Sequence, residues 1–394
     1  MSNVRRAVLG VAAALLLACP TSAGAALNGP AGNAFYTPPN PLPAGSPGDV
    51  IWARTAPSIS TSANAYKILY RSTGVSGNAI AVSGTVLVPT APWTGGGTRP
   101  LTAYASGTQG WADSCAPSRA MDTNQFDESF AVTNMLAKGW AVVVTDYPGL
   151  GTPGDHQYNV GISEGHAVLD SLRAATRLPE TGLSASTKMA IEGYSQGGGA
   201  AGWAAQQKTS YAPSLNLLGA ALGGTPANLQ AVKNNIDGSA FFAFLAGTAI
   251  GFRAAYPSLN VNQYLTLYGQ IAISTLNTMC QLPALALYAF HHLTEYTINH
   301  VDPTTQPAFA AALNANNLGT TKPAVPVLQY HGAIDEVIPY AVEQTLHNQW
   351  CALGAKSQLV PWVGEHVTTQ LIAQTDVVNW IANRFAGQTA PSNC

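Results

Sequence analysis

The chain has 394 residues, 47% hydrophobic and only 9% charged, enough apolar content for a sizeable core and too much for a disordered segment. A formal net charge of −2, without a block of like charges, gives no field that would hold nucleic acid. With 38 Gly and 26 Pro, the composition points to a compact, loop-rich exported protein.

The first residues read as an export signal. Arg5 and Arg6 supply the positive start, Ala7 to Ala18 the apolar stretch, and Ala23-Gly24-Ala25 a cleavage site before Ala26. The apolar stretch falls well short of the roughly 20 residues that span a bilayer. The arginine pair leaves the general and twin-arginine export routes both open. Lipoprotein anchoring at Cys19 is the weaker reading, because Leu17 and Pro20 fit an acylation site poorly. Removing the signal leaves Cys115, Cys280, Cys351 and Cys394. An even set in an exported protein predicts two disulfides, with three pairings open. No metal site is expected, since these cysteines lie far apart and no histidine is read at ligand spacing from them.

Residues 28 to 60, rich in Pro, Gly, Ala and Ser, read as extended or turn structure. Strands are expected at Ala65 to Tyr70 and Ile80 to Val88. Strands and helices then alternate. Leu101 to Ala105, Trp140 to Thr145, Met189 to Gly193 and Leu215 to Leu222 read as strands. Asn124 to Lys138, Ser163 to Arg177 (capped by Ser163) and Gly199 to Lys208 read as helices. Helix-like runs then follow without a strand: Leu229 to Phe252, Val261 to Asn277 and Ala284 to Ile298. The alternation resumes with strand Val325 to Tyr330, helix Tyr340 to Leu353, strand Gln358 to Trp362 and helix Thr368 to Phe385. The expected architecture is α/β: a mostly parallel sheet flanked by helices, with an inserted helical cap. The corresponding division is signal 1–25, core 26–224, cap 225–320 and core 321–394.

Gly193-Tyr194-Ser195-Gln196-Gly197 stands between a short apolar strand and an Ala-rich helix. A serine at so sharp a strand-to-helix turn is held in a strained backbone, and the flanking glycines make room for it. Its hydroxyl needs a base, and the base an orienting carboxylate. Asp335, in His331-Gly332-Ala333-Ile334-Asp335 after a strand, supplies the acid. His366, 31 positions later and just before the last helix, supplies the base. His331 reads as a structural histidine at a strand end, His347 as a helix residue, and His291, His292 and His300 as cap residues. Glu336 and Glu365 read as loop neighbours of the acid and base.

An oxyanion needs donors. The N–H of Gln196 is one candidate. The second is expected in Ser106-Gly107-Thr108-Gln109-Gly110, at Thr108 first and Gly107 next. Asp146, which also ends a strand, reads as a turn-fixing carboxylate.

These stretches, with Pro38-Pro39, Leu42-Pro43, Pro47-Gly48-Asp49, Asp113 to Ser118, Asp146 to Gly151, Gly223-Gly224-Thr225-Pro226, His331 to Pro339 and Glu365-His366, resemble the secretory lipase family of α/β-hydrolases, the fungal lipase A type. The resemblance implies an α/β-hydrolase fold, a lid-like cap over the site, and disulfides pairing Cys115 with Cys280 and Cys351 with Cys394. Ser106 stands where bacterial members commonly carry His, a departure at the oxyanion loop. The implied activity is secreted carboxylic-ester hydrolysis on a lipid, small ester or polyester, at a lipid–water interface, by a monomer without cofactor. Rival readings are an envelope-lipid acyltransferase using the same triad, a secreted serine peptidase, and a non-catalytic binding protein on the same fold. Phe241, Phe242, Phe244, Leu245, Leu265, Leu267, Leu282, Leu285 and Phe290 either line an acyl tunnel or pack the cap onto the core.

Overall fold

The computed structural model describes residues 27–394; the expected export signal and Cys19 lie outside them. Nine strands form one sheet: β1 (Val50–Ala56), β2 (Ala63–Thr73), β3 (Ala79–Pro89), β4 (Leu101–Ala105), β5 (Ala141–Thr145), β6 (Met189–Tyr194), β7 (Leu217–Gly223), β8 (Val327–Gly332) and β9 (Ser357–Trp362). Their spatial order is β1-β2-β3-β5-β4-β6-β7-β8-β9. The first three strands and β5 pair antiparallel, and every pair from β5 through β9 is parallel.

Parallel strands covered on both sides must be apolar on both sides. β4, β5 and β6 accordingly have every residue buried. Period two assigns their side chains to two cores: Leu101, Ala103, Val143 and Ile191 join one cluster, Tyr104, Val142, Val144 and Ala190 the other.

The helices that cover the sheet are α1 (Pro117–Asp122), α2 (Ser129–Ala137), α3 (Gly161–Arg177) and α4 (Gln196–Tyr211), then α5 (Leu229–Ile236), α6 (Phe242–Ala255), α7 (Leu267–Leu276), α8 (Gln281–Tyr288) and α9 (Pro307–Ala315), then α10 (Tyr340–Ala352) and α11 (His366–Phe385). Helices α3, α4 and α10 pack on the first face, α2 and α11 on the second. Between β7 and β8 lie α5 to α9 and short 3₁₀ turns, with no strand among the described residues. No described helix is long and apolar enough to cross a membrane.

Several boundaries differ from the sequence reading, each for a local reason. β1 falls in the stretch read as turns; it is an edge strand in which only Ala53 is fully buried, so it carries little apolar pattern. The helix expected over Asn124 to Lys138 starts only at Ser129, because Asn124 takes a left-handed backbone (φ 55°). Ser163 does not cap α3: the helix begins two residues earlier, and its hydroxyl donates back to the Val160 carbonyl at 3.2 Å. The run from Leu229 breaks at Gly238, whose φ is 78°, dividing α5 from α6. α7 begins only at Leu267, where the Thr266 side chain accepts the Gly269 N–H. Finally, α11 begins at His366 instead of Thr368, capped by Glu365, which accepts from Val367 and Thr368 N–H.

Two disulfides join Cys115 to Cys280 and Cys351 to Cys394. The first ties the chain after β4 to the start of α8; the second fastens the C-terminus to α10. His347 lies 3.4 Å from Cys351 Sγ, one helical turn away, so a histidine does stand at ligand spacing from a cysteine, contrary to the sequence reading. Both sulfurs there are joined to each other and His347 Nδ1 faces Gln329 and Ser357, which leaves no thiolate set for a metal.

Because the Cys115–Cys280 bridge closes a separation of 165 residues, it strongly restricts the unfolded chain. Replacing both cysteines by serine is expected to cost about 2–5 kcal/mol, read as a lower midpoint in urea unfolding. An unchanged midpoint would mean that the bridge adds nothing to stability.

Candidate active site

The chain leaves β4 for β5 on one side, while β6 lies against β4 on the other. Loops leaving the carboxyl ends of neighbouring parallel strands diverge at such a switch of direction and open a crevice between them. Two loops border it: Ser106 to Gly110 after β4, and the turn at Ser195 after β6.

That turn is severe. Ser195 has φ 57° and ψ −124°, a conformation that L residues avoid. A Cβ on Gly193 would stand 2.1 Å from the Gly197 carbonyl oxygen, and one on Gly197 only 1.8 Å from that of Ala105. Glycine at both positions is what allows α4 to start immediately after β6. The side chain of Ser195 thus rises above the sheet at the N-terminus of α4, where the helix dipole favours negative charge.

Three of the predicted residues converge. Ser195 Oγ lies 2.9 Å from His366 Nε2, and His366 Nδ1 lies 2.7 Å from Asp335 Oδ2. Asp335 Oδ1 accepts the N–H groups of Val337 (2.9 Å) and Ile338 (2.7 Å), which fixes the carboxylate plane. Burial pushes the Asp335 carboxyl up, but bonds from His331 and His366 and their charges outweigh it and hold it below the ordinary carboxylate range. His366 is held through its backbone as well: its N–H donates to Glu336 (3.1 Å) and its carbonyl accepts from Tyr194 Oη (2.6 Å). Glu336 and Glu365, read as mere neighbours, therefore anchor the base and cap its helix.

The candidate oxyanion loop sorts its two donors. Gly107 N–H donates to the buried carboxyl of Glu128 (3.1 and 3.0 Å) and is not free, which corrects its candidacy. Glu128 also accepts from Tyr104 and Gln370, so it pins the loop to β4 and α11. The N–H groups of Thr108 and Gln196 have no acceptor among the described residues. Thr108 Oγ1 is tied to Tyr158 Oη at 2.8 Å, and the Ser106 carbonyl accepts from Tyr147 Oη at 2.8 Å.

Behind Gln196 lies a cluster the sequence did not reveal. Its amide nitrogen donates to Glu164 Oε1 (2.7 Å) and faces His156 Nε2 (3.2 Å). Because His156 Nδ1 faces the Gly110 carbonyl, it carries the proton, and Nε2 is left to accept. Burial agrees with that neutral ring, lowering His156 to about 4, and burial also lifts Glu164 to about 8. Asp146 is fully buried and accepts from Ser118 N–H and the hydroxyls of Ser83 and Ser118, fixing the start of α1 away from the crevice.

From Ser195 a narrow, mostly apolar cleft runs under the cap. Phe244, Leu245 and Leu265 line it, three of the nine apolar residues considered, together with residues such as Phe252, Phe309 and Leu313. Phe241, Phe242 and Leu285 pack into the core instead, and Leu267, Leu282 and Phe290 are exposed at the surface.

A mostly parallel sheet in this order, with a strained serine after a central strand and a histidine opening the last helix, defines an α/β-hydrolase. Residues 116–393 match the family described as secretory lipase. A secreted triacylglycerol lipase of Malassezia globosa, LIP7, is 30% identical over 92% of this chain and 81% of its own. Lipase 10 of Candida albicans is 30% identical over 93% of this chain and 84% of its own. The closed-state structure of Candida antarctica lipase A superposes with a TM-score of 0.83 at 26% identity, covering 91% of this chain and 87% of that one. The cell-wall-degrading esterase LipA of Xanthomonas oryzae shares the fold, with a TM-score of 0.72 at 21% identity, over 88% of this chain and 100% of that one.

The chain belongs to the secretory lipase family. It is a secreted carboxylic ester hydrolase.

Proposed function

We propose that Ser195, His366 and Asp335 are the catalytic triad of an exported lipase, cleaved after Ala25, that takes acyl esters from a lipid–water interface. The observation that carries this reading is the chain of two hydrogen bonds from Ser195 through His366 to Asp335, placed at the mouth of an apolar cleft. In the first step Ser195 Oγ attacks the ester carbonyl while His366 Nε2 takes its proton. Asp335 stabilises the imidazolium so formed. The carbonyl oxygen, now negative, is held by the N–H groups of Gln196 and Thr108. His366 returns the proton to the departing alcohol, leaving an acyl ester on Ser195. Water, deprotonated by the same ring, then releases the acid and restores the serine.

The cleft suits the acyl chain, since an aliphatic chain gains about 0.8 kcal/mol per buried methylene. All three triad members and both oxyanion donors come from one chain, so a monomer suffices. The rim favours an apolar surface outside. Val363 is 91% exposed, and Ile334, Val367 and Leu371, near the acid and base, are also exposed. Leu282 and Leu287 are exposed on α8, whose first residue hydrogen-bonds the Gln109 carbonyl of the oxyanion loop. Apolar side chains clustered around a site mark a surface that leaves water on contact.

The test is hydrolysis of p-nitrophenyl esters from acetate to palmitate, with phosphonate labelling mapped by mass spectrometry. Long-chain esters are expected to be cleaved, faster when emulsified than when dispersed as monomers, and the label should sit on the peptide carrying Ser195. A label on another residue, or no cleavage of any ester, would sink the reading.

A further inference from the structure

The acid Asp335 is not the end of the hydrogen-bonded chain. His331, fully buried near the end of β8, places Nε2 3.3 Å from Asp335 Oδ2 and 2.8 Å from the Ile338 carbonyl. Its Nδ1 lies 3.2 Å from Glu343 Oε2 on α10. Both ring nitrogens therefore face only acceptors, which a neutral imidazole, with a single N–H, cannot satisfy. Glu343 is itself fully buried and accepts from Gln329 Nε2 (2.6 Å) and Thr225 N–H (3.0 Å), bonds that suit a carboxylate. Two buried carboxylates, Asp335 and Glu343, thus bracket one ring.

We propose that His331 is a positioning residue for the acyl-transfer reaction: a buried imidazolium that neutralises Glu343, holds Asp335 ionised and trims the negative charge felt by His366. The inference rests on the triad reading above. A second observation supports it: although burial works against the charged ring, its bonds to Asp335 and Glu343 outweigh that and raise His331 to about 10. Other groups facing the cluster are the Tyr340 ring, 5.8 Å from that of His331, Tyr194, which lies near Asp335, Glu343, Glu336 and Glu365, and Tyr330 and His347, both near Glu343. The three tyrosines are raised and neutral in the working range, mainly by burial, and burial lowers His347. The cluster therefore carries two negative charges and one positive in the resting enzyme. Without the positive one, His366 would bind its proton more tightly and lose its role as base at mildly acidic pH.

Removing a positive charge near His366 raises its proton affinity, and removing a negative one lowers it. His331→Gln should move the acid limb of kcat/KM upward by about one pH unit, and Glu343→Gln should move it downward by a smaller amount. A residue that merely fills space would lower the rate at every pH or shift both variants alike. Activities are normalised to phosphonate-titrated sites, so unfolded protein does not enter.

If His331→Gln does not fold, two measurements remain. Glu343→Gln tests the sign on its own. In wild type, ¹⁵N spectra of histidine-labelled protein should show one ring with both nitrogens protonated at pH 9. Limbs that stay put, shifts of the same sign, or the absence of that doubly protonated ring would overturn the proposal. Failure of the triad reading looks different: ester hydrolysis would survive Ser195→Ala.

Discussion

Ser195→Ala is expected to lower kcat for ester hydrolysis by about 10⁴- to 10⁶-fold with little change in KM, since the serine supplies the nucleophile and almost none of the binding. His366→Ala should cost nearly as much, and the double variant hardly more, because nucleophile and base act as one unit. Asp335→Asn tests the third member more sharply. Asp335 Oδ1 is committed to the N–H groups of Val337 and Ile338, so an amide there must keep its oxygen at that position. Its NH₂ group then faces His366 Nδ1 in place of Oδ2. That ring nitrogen can no longer donate and must accept, which puts the proton on Nε2 and points it at Ser195. The base would hold the wrong tautomer, and kcat should fall by about 10⁴-fold, with some loss of stability because the same NH₂ group also meets His331 Nε2 in place of Oδ2. The check is single-turnover kinetics of p-nitrophenyl butyrate beside urea unfolding. Hydrolysis by Asp335→Asn within tenfold of wild type would show that Asp335 does not set the tautomer.

How much of this was legible follows from how locally each feature is encoded. The parallel strands were readable because a strand buried on both faces is apolar along nearly its whole length, as Ala141 to Val144 are. Strand β1 was not, because an edge strand buries one residue here and keeps no such pattern. Helix breaks inside the cap turn on single backbone conformations, Gly238 at φ 78° for one, and a run of apolar residues does not show them. The serine could be placed from five letters and their flanks, since its geometry is set by its immediate neighbours. Its supports could not. Glu128, His156, Glu164 and Glu343 reach the site from α2's entry, the turn before α3, α3 itself and α10, and only folding brings them there. The order Thr108 before Gly107 was read from the sequence, but the reason Gly107 is engaged was not: Glu128, 21 positions away, accepts its N–H only in the fold. Glu336 and Glu365 did leave a signal, adjacency to the acid and base, but adjacency does not say that one anchors His366 and the other caps its helix.

Gly197→Ala should be among the most damaging single-methyl additions in the molecule. The new Cβ would stand 1.8 Å from the Ala105 carbonyl oxygen, 2.6 Å from its carbon and 2.8 Å from the Ser106 oxygen. All three are backbone atoms, so no rotamer change relieves the clash, and α4 must move off the end of β4. Overpacking of this kind costs about 3 kcal/mol or more. The displacement also falls on Ser106, which opens the loop carrying Thr108, and on Gln196, one residue before the substitution. Both oxyanion donors shift together, and losing one such donor alone costs about 10²- to 10³-fold in kcat. Gly199→Ala, two positions on in the same helix, is the control. There the nearest atoms are Pro226 Cγ at 3.3 Å and Cδ at 3.5 Å, a tight contact whose cost is offset by the roughly 1 kcal/mol that alanine gains over glycine in a helix interior. Urea midpoints and kcat should therefore separate the two variants, with Gly199→Ala near wild type and Gly197→Ala low in both. If Gly197→Ala kept both its midpoint and its rate, the close seating of α4 on β4 would be wrong. The strained turn at Ser195 would then owe its shape to something other than the missing side chain.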